Sequence, residues 1–353
     1  MKKILSLTFA LVLALSLFAA CGASAPASSA APASSAPASS AAPASASAAS
    51  TPAAARTTFR IAGLKGPTTM GMVKLASDAA AGTARHDYQV TMYGTADEVA
   101  PLLIKGDVDV AVIPCNLASV LYNKTKGAVE VAAINSLGVL YIVSNGADIA
   151  TVADLKGKTI YTTGKGTTPE YVLNYILQKN GLDPAKDVTI EYSTEATEVA
   201  SAMQNAGEGA VAMLPQPYVT ALAMQMDTLK VCLDMTKEWD KVSPDSGLVT
   251  GVVVARRDFV EANGAAFAEF LQDYTASADY VNQNPAEAAK LIESYGIVAK
   301  AAIAEKAIPA CNIVSIMGSD MKAKVSGYLQ VLYDQNPQAV GGALPADDFY
   351  YGV

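Results

Sequence analysis

The sequence predicts an α/β protein of two lobes, with mixed, mostly parallel sheets flanked by helices and a hinged cleft between them. Three observations predict it. Short apolar or alternating runs recur between helical stretches that end in Gly, the pattern of βαβ units. The pattern occurs twice, before and after about residue 145. One further strand run, Leu248–Ala255, then opens a C-terminal third that otherwise reads as helix. That third has too few strands for a sheet of its own, so the run is expected to return to the first sheet.

In chain order, folded sequence begins near Thr57, and Phe59–Gly63 is a short strand run. Gly66-Pro67-Thr68-Thr69 opens a helix expected to reach Gly82, with Pro67 in its first turn and Gly82 at its end. Tyr88–Tyr93 alternates as a strand, and Ala96–Lys105 reads as a helix ended by Gly106. Val108–Ile113 is nearly all apolar, as in a strand covered on both faces. A helix over Asn116–Lys124 and strands over Val129–Ile134 and Leu137–Ser144 complete the first series. The second series has strands at Thr159–Thr163, Val188–Tyr192, Gly209–Leu214 and Thr228–Asp234. Helices over Pro169–Lys179, Ala196–Asn205 and Tyr218–Met224 separate them. From Arg257 to about Gly327 the chain reads as helix, punctuated by Pro285 and Pro309. The expected lobes are 57–145 plus 246–353, and 146–245. Crossings near Asn145 and Ser246 would form the hinge, with the cleft at the carboxyl ends of the strands.

The N-terminus reads as an address. Lys2 and Lys3 precede an apolar stretch from Ile4 to Ala20, the n-region and h-region of a signal peptide over residues 1–20. Phe18-Ala19-Ala20-Cys21-Gly22 resembles a bacterial lipobox, with Phe18 where leucine is usual. The resemblance implies that Cys21 is lipidated and begins the mature chain; two acyl chains suffice for stable anchoring. Residues Gly22–Ala55 carry no charge and consist of Ala, Ser and Pro with one Gly and one Thr. Lacking large apolar groups to bury, they cannot offset their ordering entropy, so 21–56 is expected to be a disordered tether.

Composition excludes several classes. The 353 residues are 51% hydrophobic and 16% charged, with a mean hydropathy of +0.26. After Ala20 no run of eighteen apolar residues occurs, which excludes a multi-span helical membrane protein. The pI near 4.8 argues against nucleic acid as a partner. A single histidine, His86, disfavours a His-rich metal site or a His-dependent relay, so neither metal nor cofactor is expected. Cys115, Cys232 and Cys311 form no close pair and read as three buried thiols, with one bridge plus a free thiol as the alternative.

The lipoprotein leader, the opening Gly63-Leu64-Lys65-Gly66-Pro67-Thr68, and Leu155-Lys156-Gly157-Lys158-Thr159-Ile160 followed by Gly166 and a helix together resemble one family. They look like a type II periplasmic-type solute-binding protein of an ABC importer, of the nitrate/sulfonate/taurine and thiamine-pyrimidine-binding class. Val152-Ala153-Asp154-Leu155-Lys156-Gly157-Lys158 is the most specific stretch and implies entry into the second lobe. Leu214-Pro215-Gln216-Pro217-Tyr218 is similar to the family's Pro-Glu-Pro motif near the cleft, with Gln216 replacing a carboxylate. The closing Leu344-Pro345-Ala346-Asp347-Asp348-Phe349-Tyr350 is also similar.

Candidate ligand-binding residues lie at strand ends. Lys65, Gly66, Thr68 and Thr69 surround one helix start, where free backbone N–H groups attract electron-rich groups; an ordinary capped turn is the alternative. Gly164, Lys165, Gly166, Thr167 and Thr168 repeat the design in the second lobe, with Thr168 expected as N-cap and Pro169 after it. This is not a Walker A loop, because the four-residue spacer and the Gly-Lys-Ser/Thr ending are missing. Asn116 either bonds a ligand or caps its helix. Asn135 and Ser136 lie at a strand end near the expected hinge, as ligand groups or turn residues. Thr250 sits in the returning strand, beside Gly251, which permits close approach. Gln216 can donate and accept, which suits an amide or carboxyl partner.

The resemblance implies capture of a small solute, a sulfonate, oxyanion, pyrimidine or aromatic acid, by a monomer at the extracytoplasmic face of the cell membrane. It implies delivery to an ABC permease with its ATPase, and no catalysis. The two helix starts facing each other across the cleft favour an uncharged or anionic ligand. Two alternatives stand: a thiamine-pyrimidine-synthesis-like enzyme of the same fold, which consumes pyridoxal phosphate and a histidine, or a surface sensor or adhesin.

Overall fold

The computed structural model describes residues 56–353, so the leader, Cys21 and all of the tether before Arg56 lie outside the described residues. The first series comprises β1 (Thr58–Leu64), α1 (Pro67–Met70), α2 (Val73–Ala80), β2 (Asp87–Tyr93), α3 (Ala96–Lys105), β3 (Val110–Pro114), α4 (Cys115–Thr125) and β4 (Val129–Leu137). The second comprises β5 (Leu140–Asn145), β6 (Thr159–Thr163), α5 (Thr168–Lys179), β7 (Thr189–Ser193), α6 (Ala196–Ala206), β8 (Val211–Pro215), α7 (Tyr218–Ala223), β9 (Leu229–Asp234) and α8 (Met235–Val242). The third comprises β10 (Val249–Arg256), α9 (Arg257–Ala262), α10 (Gly264–Gln283), α11 (Pro285–Ser294), α12 (Ala301–Ala307), β11 (Ile313–Ile316) and α13 (Gly318–Gln335).

Two sheets result, in the orders β11-β4-β10-β3-β1-β2 and β7-β6-β8-β5-β9. In the first, β1 runs parallel to β2 and β3, while β10 is antiparallel to β3 and β4. In the second, β6 runs parallel to β7 and β8, while β5 is antiparallel to β8 and β9. Crossover helices allow the parallel pairs, and the strands they cover, such as β3, are buried on both faces.

Four expectations need correction. The helix opening at Pro67 breaks after Met70. The buried Ser277 hydroxyl of α10 accepts from the Leu75 amide and donates to the Gly71 carbonyl, so it occupies the place of one helical bond. The 57–145 boundary is too late, because β5 pairs on both sides within the second sheet. The first crossing is therefore at 138–139, since local pattern marks a strand but not the sheet it joins. Helix α8 was not expected; the Asp234 carboxylate caps it, accepting from the Thr236 amide at 3.0 Å. Strand β11 was also not expected, and it is held by antiparallel pairing with β4.

The two crossings pack on each other. A Cβ on Gly138 would lie 2.2 Å from Thr236 Oγ1 and 2.6 Å from Leu248 Cδ2, so only glycine fits there. On the other side of the sheets, α13 joins the lobes. Fully buried Tyr328 sits 5.6 Å from the Trp239 ring, which lies tilted 4.8 Å from Tyr175 and donates from Nε1 to Ser246 Oγ. Asn336 and Gln335 reach the Tyr171 hydroxyl and carbonyl. One apolar cluster thus runs through both lobes. Of the three thiols, Cys115 and Cys311 are buried, but Cys232 is half-exposed because β9 is an edge strand.

Candidate functional site

A cavity of about 370 Å³ opens where the carboxyl ends of β3 and β8 meet the start of β10 and the first turns of α4 and α5. The first lobe contributes Ala96, Pro114, Asn116, Leu117 and Thr250. Val139 and Leu140, together with Thr167, Thr168, Pro169 and Pro215, close it from the second lobe. Its volume is that of a small-molecule pocket, and its place is the one open α/β sheets use for ligands. A larger cavity of about 460 Å³ lies on the outside of the first lobe between α2 and α10. There Asp78 pairs with Lys74, and Asp273 takes both Arg85 and the Tyr88 hydroxyl, so its polar groups serve each other.

Four of the sequence candidates line the cleft cavity: Asn116, Thr167, Thr168 and Thr250. Asn116 is not the cap of its helix, since the helix starts at Cys115 and Asn116 Nδ2 donates to the Ala339 carbonyl at 3.3 Å. Thr168 is not the N-cap either. That position belongs to Thr167, whose hydroxyl donates to the Gly164 carbonyl at 2.7 Å instead of accepting from the helix. The Thr168 hydroxyl receives a bond from Tyr328 at 3.3 Å, across the two lobes.

The other candidates lie outside the lining of this cavity. Thr69 is buried and donates to the Leu64 carbonyl at 2.5 Å, which closes the turn after β1. Thr68 and the Asn135 amide instead pack over Gly251, where an added Cβ would lie 2.5 Å from Thr68 Cγ2 and 2.4 Å from Asn135 Oδ1. The Asn135 amide atoms and the Ser136 hydroxyl are buried without a hydrogen-bond partner. The turn at Pro67–Thr69 is absent from the lining of this cavity, to which the start of α4 contributes together with Thr167–Pro169, and α1 is only four residues long. Gly66 and Gly164 shape their turns with positive φ. Gly166 donates its amide to Glu170. Gln216 is buried, and its Oε1 accepts from the Thr220 hydroxyl at 2.8 Å and the Thr220 amide at 3.3 Å, which ties its oxygen, but not its Nε2, to the start of α7.

The charged candidates are turned to the rim. Lys165 Nζ stands 5.7 Å over the Tyr192 ring. Burial, and then Glu170, hold the Tyr192 phenol well above its usual range, so the ring stays neutral. Lys65 Nζ lies against Gly296, and its charge acts on Glu98. Hydrogen bonds from Thr95, backbone first, hold the Glu98 carboxyl below the usual range. Cys115, beside Asn116, is pushed up by burial and stays a neutral thiol. Among the described residues no group of three or more His, Cys, Asp or Glu is placed to hold a metal ion, and no helix is long and apolar enough to cross a membrane.

Sequence reasoning missed most of the apolar walls, Leu117, Val139 and Leu140 among them. Polar residues at strand ends draw attention, whereas an apolar residue there reads as packing. The signal that marks them is position: each lies at or within three residues of the end of a strand that faces the cleft.

The fold has known counterparts. An ABC transporter structure from Parabacteroides distasonis shares 26% identity with a TM-score of 0.69, over 83% of this chain and 98% of that one. The periplasmic aliphatic sulphonate binding protein of Escherichia coli shares 17% with a TM-score of 0.65, over 81% and 90%. The periplasmic nitrate-binding protein of Synechocystis shares 15% with a TM-score of 0.54, over 83% of each chain. No curated protein matches the sequence. The fold is thus the type II periplasmic-binding-protein fold of ABC-importer solute-binding proteins. A family model described as NMT1/THI5 like matches residues 78–288, more than half of the sequence, and the chain belongs to that family.

Proposed function

We propose that the chain is a lipid-anchored, extracytoplasmic binding protein that captures a small solute in the cleft and hands it to an ABC permease and its ATPase. The observation that carries this reading is the cavity at the strand ends, with walls from both lobes. A solute held there touches both lobes and so favours their closed arrangement by its differential affinity. The tightly packed crossings at Gly138 and Leu248 suit a hinge, with lobes 57–137 plus 249–353 and 139–242 moving as bodies. The likeness to a sulphonate-binding and a nitrate-binding protein supports a solute without positive charge. Anchoring is assigned to Cys21 and reach to the segment 21–56, and the protein works as a monomer.

The role is binding without catalysis. His86 supports this: it sits at the start of β2, where Nδ1 accepts from the Thr57 amide and Nε2 meets Glu269 at 2.9 Å, away from the cleft. Lack of Schiff-base absorbance on incubation with pyridoxal phosphate is the expected result.

The test is a thermal-shift screen followed by small-angle scattering. A ligand at 100 times its Kd adds about 2.7 kcal/mol of stability. A hit should also reduce the radius of gyration, and an unchanged radius at saturation would refute hinge closure. A Cys21→Ser variant should leave the membrane fraction; if it stays there, lipidation is not the anchor.

A further inference from the structure

We propose that the cleft takes an electrically neutral ligand with an apolar body and one group that both donates and accepts hydrogen bonds, such as an amide; this rests on the reading of the cleft as the capture site. Among the described residues, no charged side chain lines the cavity. Most of its surface comes from Pro, Leu, Val and Ala, which favours an apolar body. An ion moved into such a space sheds hydration and meets no charged side chain; an anion finds there only the partial positive charge of the first turns of α4 and α5.

The nearby cations do not change this. Lys165 is engaged over Tyr192 and shares its rim with Glu170, whose carboxylate holds the Gly166 amide. Lys65 is turned toward Gly296 and shares its rim with Glu98. Each of these two lysines thus has a glutamate close by.

The polar groups in the lining set the hydrogen-bonding pattern. Asn116 spends its Nδ2 on Ala339 and keeps its carbonyl oxygen as an acceptor. Thr167 spends its proton on Gly164 and likewise keeps lone pairs. Thr168 accepts from Tyr328 and keeps its proton to donate. Thr250, also in the lining, adds a hydroxyl that can donate or accept, so acceptors and donors converge from both lobes. A carboxylate or sulfonate, which only accepts, would face the Asn116 and Thr167 oxygens unfavourably, whereas an amide satisfies both kinds of group.

Three probes of one shape separate the charges: benzamide, benzoate and benzamidine, titrated by calorimetry against the full chain at neutral pH. Benzamide is expected to bind about tenfold or more tighter than either ion. Benzoate binding as tightly as benzamide, or no benzamide binding up to about 10 mM, overturns the proposal. Leu117→Lys, at a half-buried position in the wall, should reverse the preference toward benzoate. Thr250→Lys serves as the second variant, with near-ultraviolet circular dichroism to check folding. If the wild type prefers benzoate and either lysine variant strengthens it, the cleft is the capture site and only the neutral class fails. If neither variant alters any probe's binding, the cleft reading itself fails.

Discussion

The two lobes are built to one plan and differ in how they are braced. In each sheet a central parallel strand, β1 or β6, lies between two parallel neighbours, and one antiparallel strand enters from the crossing. The equivalent pairs are in the same register, Ile61 with Val110 and Ile160 with Val211. Both series contain a capping box ending in Glu-Val-Ala, Thr95 to Ala100 and Glu195 to Ala200. Both have a buried strand ending in proline, at Pro114 and Pro215, and both prolines line the cleft. The bracing differs at the residue before those strands. Asp109 is almost fully buried and accepts from the Arg60 amide and its Nε and Nη2, while Ala210 offers nothing comparable. The far edge differs too: β11 and α10 cover the first sheet, whereas β9 leaves Val231 55% exposed. The shared features build the site, and the unshared ones set the stability of each lobe.

Thiol labelling gives the largest contrast. Burial pushes the Cys311 thiol up to about 12 and the Cys115 thiol higher still, so both react slowly in the first lobe. Iodoacetamide followed by mass spectrometry should modify Cys232 in the second lobe while those two stay intact. Early labelling of Cys115 would mean that the first lobe opens more readily than its burial implies.

Removing the shared seam comes next. Trp239→Ala should cost about 3–5 kcal/mol in urea unfolding, because it empties a fully buried site between the lobes. A loss under about 1 kcal/mol would indicate that the lobes do not depend on the seam.

Asp109→Asn should destabilise by about 1.5–3 kcal/mol, the worth of hydrogen bonds to a charged group. Ala210→Ser, at the matching place in the second lobe, should change little. Equal effects at both places would erase the asymmetry.

The smallest effect is the acid limb at Glu98. Its folded pKa lies below the ordinary carboxyl value, so its contribution is present above that value and is lost as pH falls through the depressed folded pKa. Glu98→Gln should lower the urea midpoint at pH 7 more than at pH 3. An equal shift at both pH values would remove the carboxylate charge from the account.

Much of the fold was legible because covered strands such as β3 are continuous apolar runs and their helices end at Gly. What stayed hidden depends on distant partners. The Ser277 hydroxyl that splits the first helix is more than two hundred residues from it in sequence. The four residues of β11 become a strand only against β4, and the Gly138 crossing is visible only once β5 is paired. At the site, residue type marked Asn116, Thr167, Thr168 and Thr250 because they stand at strand ends. It did not show that Lys65 and Lys165 turn outward, nor that the Gln216 oxygen bonds Thr220, since side-chain direction is set by neighbours such as Tyr192.

The place of β10 has a kinetic consequence. The second sheet is made from the continuous stretch 140–234, so it can assemble from near neighbours in sequence. The first sheet cannot, because β3 and β4 do not pair with each other; β10 lies between them and comes more than a hundred residues after β4. Until it docks, two apolar strands present open edges to solvent, the kind of surface that aggregates. Closing that long loop is cheaper once the second lobe has folded, because the folded lobe brings Thr236 and Leu248 back beside Gly138 and so delivers β10 to the gap. Refolding should therefore proceed from the middle of the chain outward, with the first lobe completed last.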